Sequence, residues 1–288
     1  MKITPECIPC LIKRVIFEAG LVSETLVPIA VKEACKVFAK NYEPNINSAV
    51  LATKVHRRVY QVLGNPDPYA EMKEWSNRVA LKLVKKVENI IANSDDKLSS
   101  SALCSIVGNV LDFGIQKECE NPDELFKKFD SIYSEGLAYN DIPLVKKYIT
   151  NSNVIFFADN CGEIIFDKIL CREMKEFGSK ITFVVKGKPM LSDATIEDAY
   201  KYKLDEVCDE ILTTNSNAVG IDFSCITPKL KSKLKKASII ISKGMANFES
   251  LSDEKYRPIA YLLRTKCIPV ANALNAEWRK NVVKVLRI

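Results

Sequence analysis

Several large function classes depend on groups that this sequence does not have. It holds a single histidine, His56, in a helix-like stretch beside Arg57 and Arg58. A Ser-His-Asp triad is therefore excluded, and His56 reads as a surface or structural residue. Neither GxGxxG nor GxxxxGK[ST] occurs, so dinucleotide and Walker-type nucleotide sites lack their usual fingerprints. No run approaches the roughly 18 apolar residues of a membrane span, and the N-terminus has no basic, apolar, small-residue leader pattern. One CxxC is present, Cys7 to Cys10, without a second pair to complete a zinc site. Buried thiols, or a metal or redox role, both fit that pair, and Cys267 is a candidate neighbour in space.

What remains is the composition of a globular protein: 288 residues, 47% hydrophobic and 27% charged, with 10 glycines and 12 prolines. A chain of this length buries roughly three quarters of its unfolded surface. The ten cysteines lie mostly inside apolar runs, which reads as reduced thiols in a cytoplasmic protein. A net charge of +6 suits small anionic ligands and is too small to argue nucleic acid, and no membrane partner is implied. The densest basic run, Lys229 to Lys236, has Leu230 and Leu234 four apart, the pattern of an amphipathic helix with a solvated basic face.

Up to about residue 150 the apolar positions recur at three and four, and helices are expected near 5–20, 23–40, 46–63, 69–93, 97–116, 122–138 and 141–150. No strand-like alternation occurs there. Beyond Asn153 the character changes. VIFFA, ITFVV, EIL, SIIIS and IAYLL are short apolar runs, each followed by polar turn residues and a helix-compatible stretch, and VVKVLRI reads as an added edge strand. Short buried strands alternating with helices give a mostly parallel sheet covered on both faces. The expected fold is α/β: an all-helical domain, 1–150, on an α/β/α domain, 151–288.

In such sheets ligands bind beyond the carboxyl ends of the strands. Three strand ends here carry polar clusters: Asp159-Asn160-Cys161-Gly162-Glu163, Lys186-Gly187-Lys188 running on to Ser192-Asp193, and Ser242-Lys243-Gly244 running on to Asn247. Asp159, Asn160 and Asp193 offer hard oxygen donors of the kind Mg²⁺ or Mn²⁺ takes in phosphoryl chemistry. Each is also compatible with an Asx turn or a helix cap. Lys243 and Lys186, each followed by glycine, are placed to neutralise a phosphate, although a lysine after a strand is commonly just solvated. Glu163 in a first helical turn either complements the helix dipole or orients a water, and Asp167 sits one turn further on. Asn109, with Gly108 and Asp112, interrupts an apolar helical stretch and marks a surface that faces the rim. A second acid two residues after Asp159, as in haloacid-dehalogenase phosphatases, is absent; Cys161 stands there.

CIPC, GNVLDFG, DNCGEIIFD, VKGKPMLSDATIEDA, ISKGMANFE and LLRTKCIPVA, in that order along nearly the whole chain, resemble the metal-dependent damage-control phosphatases, in particular a CxxC-bearing subfamily. The resemblance implies a helical domain on an α/β/α domain. It also implies hydrolysis of phosphate monoesters of small metabolites, such as sugar phosphates, with Mn²⁺, Co²⁺, Ni²⁺ or Mg²⁺. Carried over by motif, Asp159, Asn160 and Asp193 are the metal ligands and Lys243 the phosphate-binding lysine with Asn247 close by. The sequence departs from the family pattern at Ser192 and at Cys161, which adds a soft, oxidisable sulfur near the metal position. Two other readings stay open: a methyltransferase using S-adenosylmethionine, whose usual glycine-rich loop is missing, and a metal- or redox-responsive binding protein built on Cys7 and Cys10.

Overall fold

The computed structural model describes residues 1–110 and 122–287. Three helices open the chain: α1 (Cys7–Val22), α2 (Val27–Asn41) and α3 (Ser48–Leu63). They bury Val15, Ala19, Ala34, Leu51, Val55 and Val59 against one another in a core of their own. Asn47 starts α3, its Oδ1 accepting the Ala49 and Val50 N–H groups, and Gly64 at φ 60° ends it. His56 is buried within this core, its Nδ1 2.9 Å from both carboxylate oxygens of Glu18. Its role is structural.

Next come α4 (Ala70–Ala92), α5 (Lys97–Val110), α6 (Pro122–Ser134) and, after the two-residue strand β1 (Tyr139–Asn140), α7 (Ile142–Ile149). The expected helix over 97–116 is seen to residue 110; its remainder lies outside the described residues. β2 (Asn153–Phe157), α8 (Glu163–Lys175), β3 (Lys180–Val185), α9 (Ile196–Lys201), β4 (Glu210–Thr213), α10 (Pro228–Lys236), β5 (Ile239–Lys243), α11 (Gly244–Leu251), β6 (Ile259–Arg264), α12 (Ile268–Ala273) and β7 (Asn281–Leu286) complete the order.

The seven strands form one sheet in the order β1-β7-β6-β5-β2-β3-β4. Every pairing is parallel except β6 with β7. Because side chains alternate along a strand, the run VIFF is apolar on both sides: Val154 and Phe156 join one core with α4, α5, α7 and α8, while Ile155 and Phe157 join another with α10, α11 and α12. The result is three layers. Packing of α4–α7 on the sheet runs across the boundary expected at residue 150.

Two expectations need correction. The first half does contribute a strand, since Tyr139 and Asn140 pair with Val282 and Val283. Two residues are too few to show alternation. For the same reason β7 is not an edge: β1 lies outside it. No helix of the described residues is long and apolar enough to cross a membrane.

The topology fixes where a ligand belongs. Connections from β2 run outward through β3 to β4, after which the chain returns to β5 on the other side of β2. The carboxyl ends of β2 and β5 therefore flank the switch point, the place where open α/β sheets form a crevice. Asp159 follows one of these strands and Lys243 ends the other.

Candidate active site

Two loops meet above the switch point and are zipped together by their backbones. Ala194 N–H donates to Asp159 O and Cys161 N–H donates to Ser192 O, both at 2.8 Å, and between them Asn160 and Asp193 form an antiparallel bridge. A few residues after β2 and a few before α9 are thus held in fixed register, bringing Asp159, Asn160 and Asp193 together. From the third strand end, β5 passes into α11 with no intervening loop, through Gly244 at φ 72°. A Cβ on Gly244 would sit 1.9 Å from Asp159 Oδ2. Only glycine leaves the carboxylate its place.

The side chains form two bonded groups, one around Asp159, Glu163 and Lys243 and one around Asp193 and Lys186, joined through the backbone bridge of Asn160 and Asp193. Asp159 Oδ2 accepts from Asn109 Nδ2 at 2.7 Å and Asn160 Nδ2 at 2.8 Å, and Asn160 Oδ1 accepts from Ser192 Oγ at 2.7 Å. Asp193 pairs with Lys186 at 3.2 Å, and the same ammonium donates to Gly220 O. Glu163 receives hydrogen bonds from Asn109 and Lys243. Lys243 also reaches Asp167 at 2.9 Å, and Asp167 accepts from Ser105 Oγ at 2.6 Å.

The expected site residues therefore fall into two groups. Asp159, Asn160, Glu163, Lys243 and Asn109 are linked by side-chain hydrogen bonds, and the Asp193–Lys186 pair is brought beside them by the backbone bridge of Asn160 and Asp193. Asn247 and Gly187 are turned to the scaffold: Asn247 Nδ2 donates to the carbonyls of Ala158 and Lys243, both at 2.9 Å, bolting the two strand ends together. Gly187 N–H donates to Ser216 O, and a Cβ there would meet the 215–216 backbone at 2.6 Å. Lys243, expected to be free for a phosphate, is 0% exposed and already engaged by two carboxylates. Asp112 lies outside the described residues.

Asp159, Glu163, Asp167 and Asp193 are buried together, with Lys186 paired to Asp193, Lys243 paired to Glu163 and Asp167, and Lys73 acting on Asp193 from a greater distance. Burial, then the charges of Asp193 and Glu163, push the Asp159 carboxyl well above the usual range. Burial likewise raises Asp193 despite Lys186, and raises Asp167 to about 7 despite Lys243. Lys243 moves upward too: burial opposes its charge, but Asp167 and Glu163 outweigh that. A divalent cation matches both the cluster of buried carboxyls and the donors, which are carboxylate and amide oxygens. Among the described residues no three His, Cys, Asp or Glu side chains converge as a metal cluster, so the fit rests on two carboxylates and one amide.

Sequence reasoning passed over several contributors. Asn77, buried in α4, accepts the Gly162 N–H at 2.6 Å, and Tyr60 Oη accepts the Leu191 N–H at 2.9 Å. Ser105 supports Asp167, and Lys266 donates to Asn109 O at 2.7 Å. The consecutive Ser76 and Asn77, both poor helix formers in mid-helix, were the available signal. Cys161 is buried, and burial drives its thiol well up. Cys267 is indeed near Cys7 and Cys10. Burial raises its thiol to about 11, and the two other cysteines add to that shift.

The chain is similar to known proteins along nearly its whole length. The damage-control phosphatase ARMT1-like domain model matches residues 3–282. A damage-control phosphatase from Archaeoglobus fulgidus is 41% identical over 288 residues, covering 99% of this chain and 100% of that one. An uncharacterised protein from Methanocaldococcus jannaschii is 35% identical, covering 98% of this chain and 95% of its own length. The crystal structure of a DUF89 family protein from Pyrococcus horikoshii superimposes with a TM-score of 0.89 at 26% identity, covering 99% of both chains.

Proposed function

The chain belongs to the damage-control phosphatase ARMT1-like family, and from that premise we propose that it hydrolyses phosphate monoesters of small metabolites at the β2/β5 switch point with the help of a divalent ion. The observation that carries this reading is the pairing of two loops that brings Asp159, Asn160 and Asp193 side by side among buried carboxylates. Mn²⁺, Co²⁺, Ni²⁺ and Mg²⁺ are all compatible with such donors. A small phosphorylated metabolite, of the sugar-phosphate or damaged-metabolite kind, is the substrate class. The nine described cysteines are free thiols, in keeping with a reducing, cytoplasmic setting.

A bound divalent ion supplies Lewis acidity toward a phosphoryl oxygen and lowers the pKa of water. The chain's own residues do the rest. Asn109 holds Asp159 and Glu163 at a fixed separation, and Lys186 holds Asp193. Glu163, whose carboxylate accepts from Asn109 and Lys243, takes the proton of an attacking water in this reading, and as the P–O ester bond breaks it passes that proton to the leaving alkoxide. Lys243 balances charge that builds on the phosphoryl oxygens as it turns from Glu163 toward them. Because these side chains are 6% exposed or less, substrate entry requires movement of the elements that cover them.

The test is turnover of p-nitrophenyl phosphate by metal-stripped protein with and without added Mn²⁺, repeated on Asp159→Ala. We expect activity only with metal, and its loss in the variant. Full activity in Asp159→Ala would reject the assignment.

A further inference from the structure

One buried side chain outside the acids and lysines bridges both loops of the site. Asn77 lies in the middle of α4 and is 0% exposed. Its Oδ1 accepts the Gly162 N–H at 2.6 Å, and its Nδ2 stands 3.5 Å from Asp198 Oδ1. Gly162, at φ 80°, lies two residues beyond Asn160 and caps α8. Asp198 closes the capping box of α9, its Oδ2 accepting from both Thr195 N–H and Thr195 Oγ1 at 2.9 Å, and Thr195 lies two residues beyond Asp193. A single planar amide therefore connects the segment that carries Asp159 and Asn160 with the segment that carries Asp193.

We propose that Asn77 is a positioning residue that sets the spacing of these two loops, so that the oxygens of Asp159, Asn160 and Asp193 converge on one divalent ion; this rests on the reading given under Proposed function. On their open side the loops are joined by the Ala194-to-Asp159 and Cys161-to-Ser192 backbone bonds. Asn77 joins them from the helical side. An amide is the group that suits both ends, since it accepts from the Gly162 N–H and donates toward a carboxylate. An aliphatic residue would strand the Gly162 N–H in a dry site, and aspartate would set a second carboxylate against Asp198. Groups that orient ligands in this way typically govern metal affinity by 10–100-fold, on the order of what removing a ligand's hydrogen-bond partner costs.

Calorimetric titration of Mn²⁺ into wild-type protein and Asn77→Ala tests this, together with the Mn²⁺ dependence of p-nitrophenyl phosphate turnover. The expected result is Mn²⁺ binding about 10-fold or more weaker in the variant, with a matching rise in the metal concentration for half-maximal activity and a smaller fall in kcat at saturating metal. A purely structural role lowers the melting temperature but leaves Mn²⁺ affinity unchanged, and that outcome overturns the proposal. If Asn77→Ala does not fold, hydrogen exchange of the Gly162 amide in the wild-type protein decides: slow exchange supports the bond, and exchange at the rate of a solvent-exposed amide overturns it. Wild-type protein that binds no Mn²⁺ removes the metal reading and this proposal together, whereas equal binding by wild type and variant removes only the role of Asn77.

Discussion

At the scale of the residue, Lys243 and Gly244 show how tightly the sequence is constrained at the end of β5. Lys243→Met leaves Glu163 and Asp167 buried without their common cation, and loss of one partner from such a pair costs about 3–5 kcal/mol. Urea denaturation at neutral pH measures this. The pH dependence carries a sign. Asp167, already raised to about 7 by burial against the opposing charge of Lys243, rises further when that charge is removed. A carboxyl whose pKa is raised on folding contributes stability that is full below its unfolded pKa and lost as pH climbs through the folded one. The deficit of Lys243→Met should therefore shrink as pH falls toward about 7 from the alkaline side, where the variant's Asp167 takes up its proton before the wild type's does; a deficit that stays constant or grows over that range contradicts the burial argument. Gly244→Ala is the companion test. Its Cβ would lie 1.9 Å from Asp159 Oδ2 at a φ of 72°, so both backbone strain and displacement of the carboxylate follow. We expect a loss of about 1–3 kcal/mol in stability and a drop in turnover of about 100-fold, the scale of a 1 Å misplacement. These effects were not visible in the sequence. It showed a lysine followed by glycine, which placed the strand end correctly, but not that two carboxylates already hold the ammonium.

At the scale of the element, the strands were legible where both faces are buried. VIFF and III read as continuous apolar runs because helices cover them on each side. β1 was not legible, because two residues carry no period and their pairing comes from β7. The join between β3 and β4 gives a further prediction. Asp209 N–H donates to Ile181 O, its carboxylate accepts from the Ile181 N–H at 2.7 Å, and Lys175 pairs with it at 2.8 Å. Burial pushes the Asp209 carboxyl up, but Lys175 and the Ile181 N–H more than reverse this, leaving it below the usual carboxylate range. A depressed pKa contributes stability above the unfolded value that is lost as pH falls through the folded one. Asp209→Asn should therefore melt below the wild type at neutral pH, with the two melting curves converging in acid below about pH 3–4. A gap that persists there would show that the carboxylate's charge is not what matters.

At the scale of the whole molecule, the order of strands determines which loops meet, and that could be argued from the sequence because ligand sites of parallel sheets lie at strand ends. Asp159, Asn160 and Asp193 could be placed at one rim for that reason, and the structure pairs their loops. Asn77 and Ser105 could not be placed, because helical periodicity says which face of α4 or α5 is buried but not which buried polar residue meets a loop on the far side of the fold. Binding has a global consequence: a divalent ion held at these oxygens should stabilise the fold, by about 2.7 kcal/mol at a hundred times its Kd. Chelation should lower the melting temperature accordingly. The central claim, that one cation is held between the two paired loops, is tested most directly by anomalous diffraction at the manganese edge from crystals grown with saturating Mn²⁺. The account predicts a single strong peak bounded by oxygens of Asp159, Asn160 and Asp193 at about 2.0–2.6 Å, the range of hard-cation contacts. A peak elsewhere, or none among these three side chains, would contradict it.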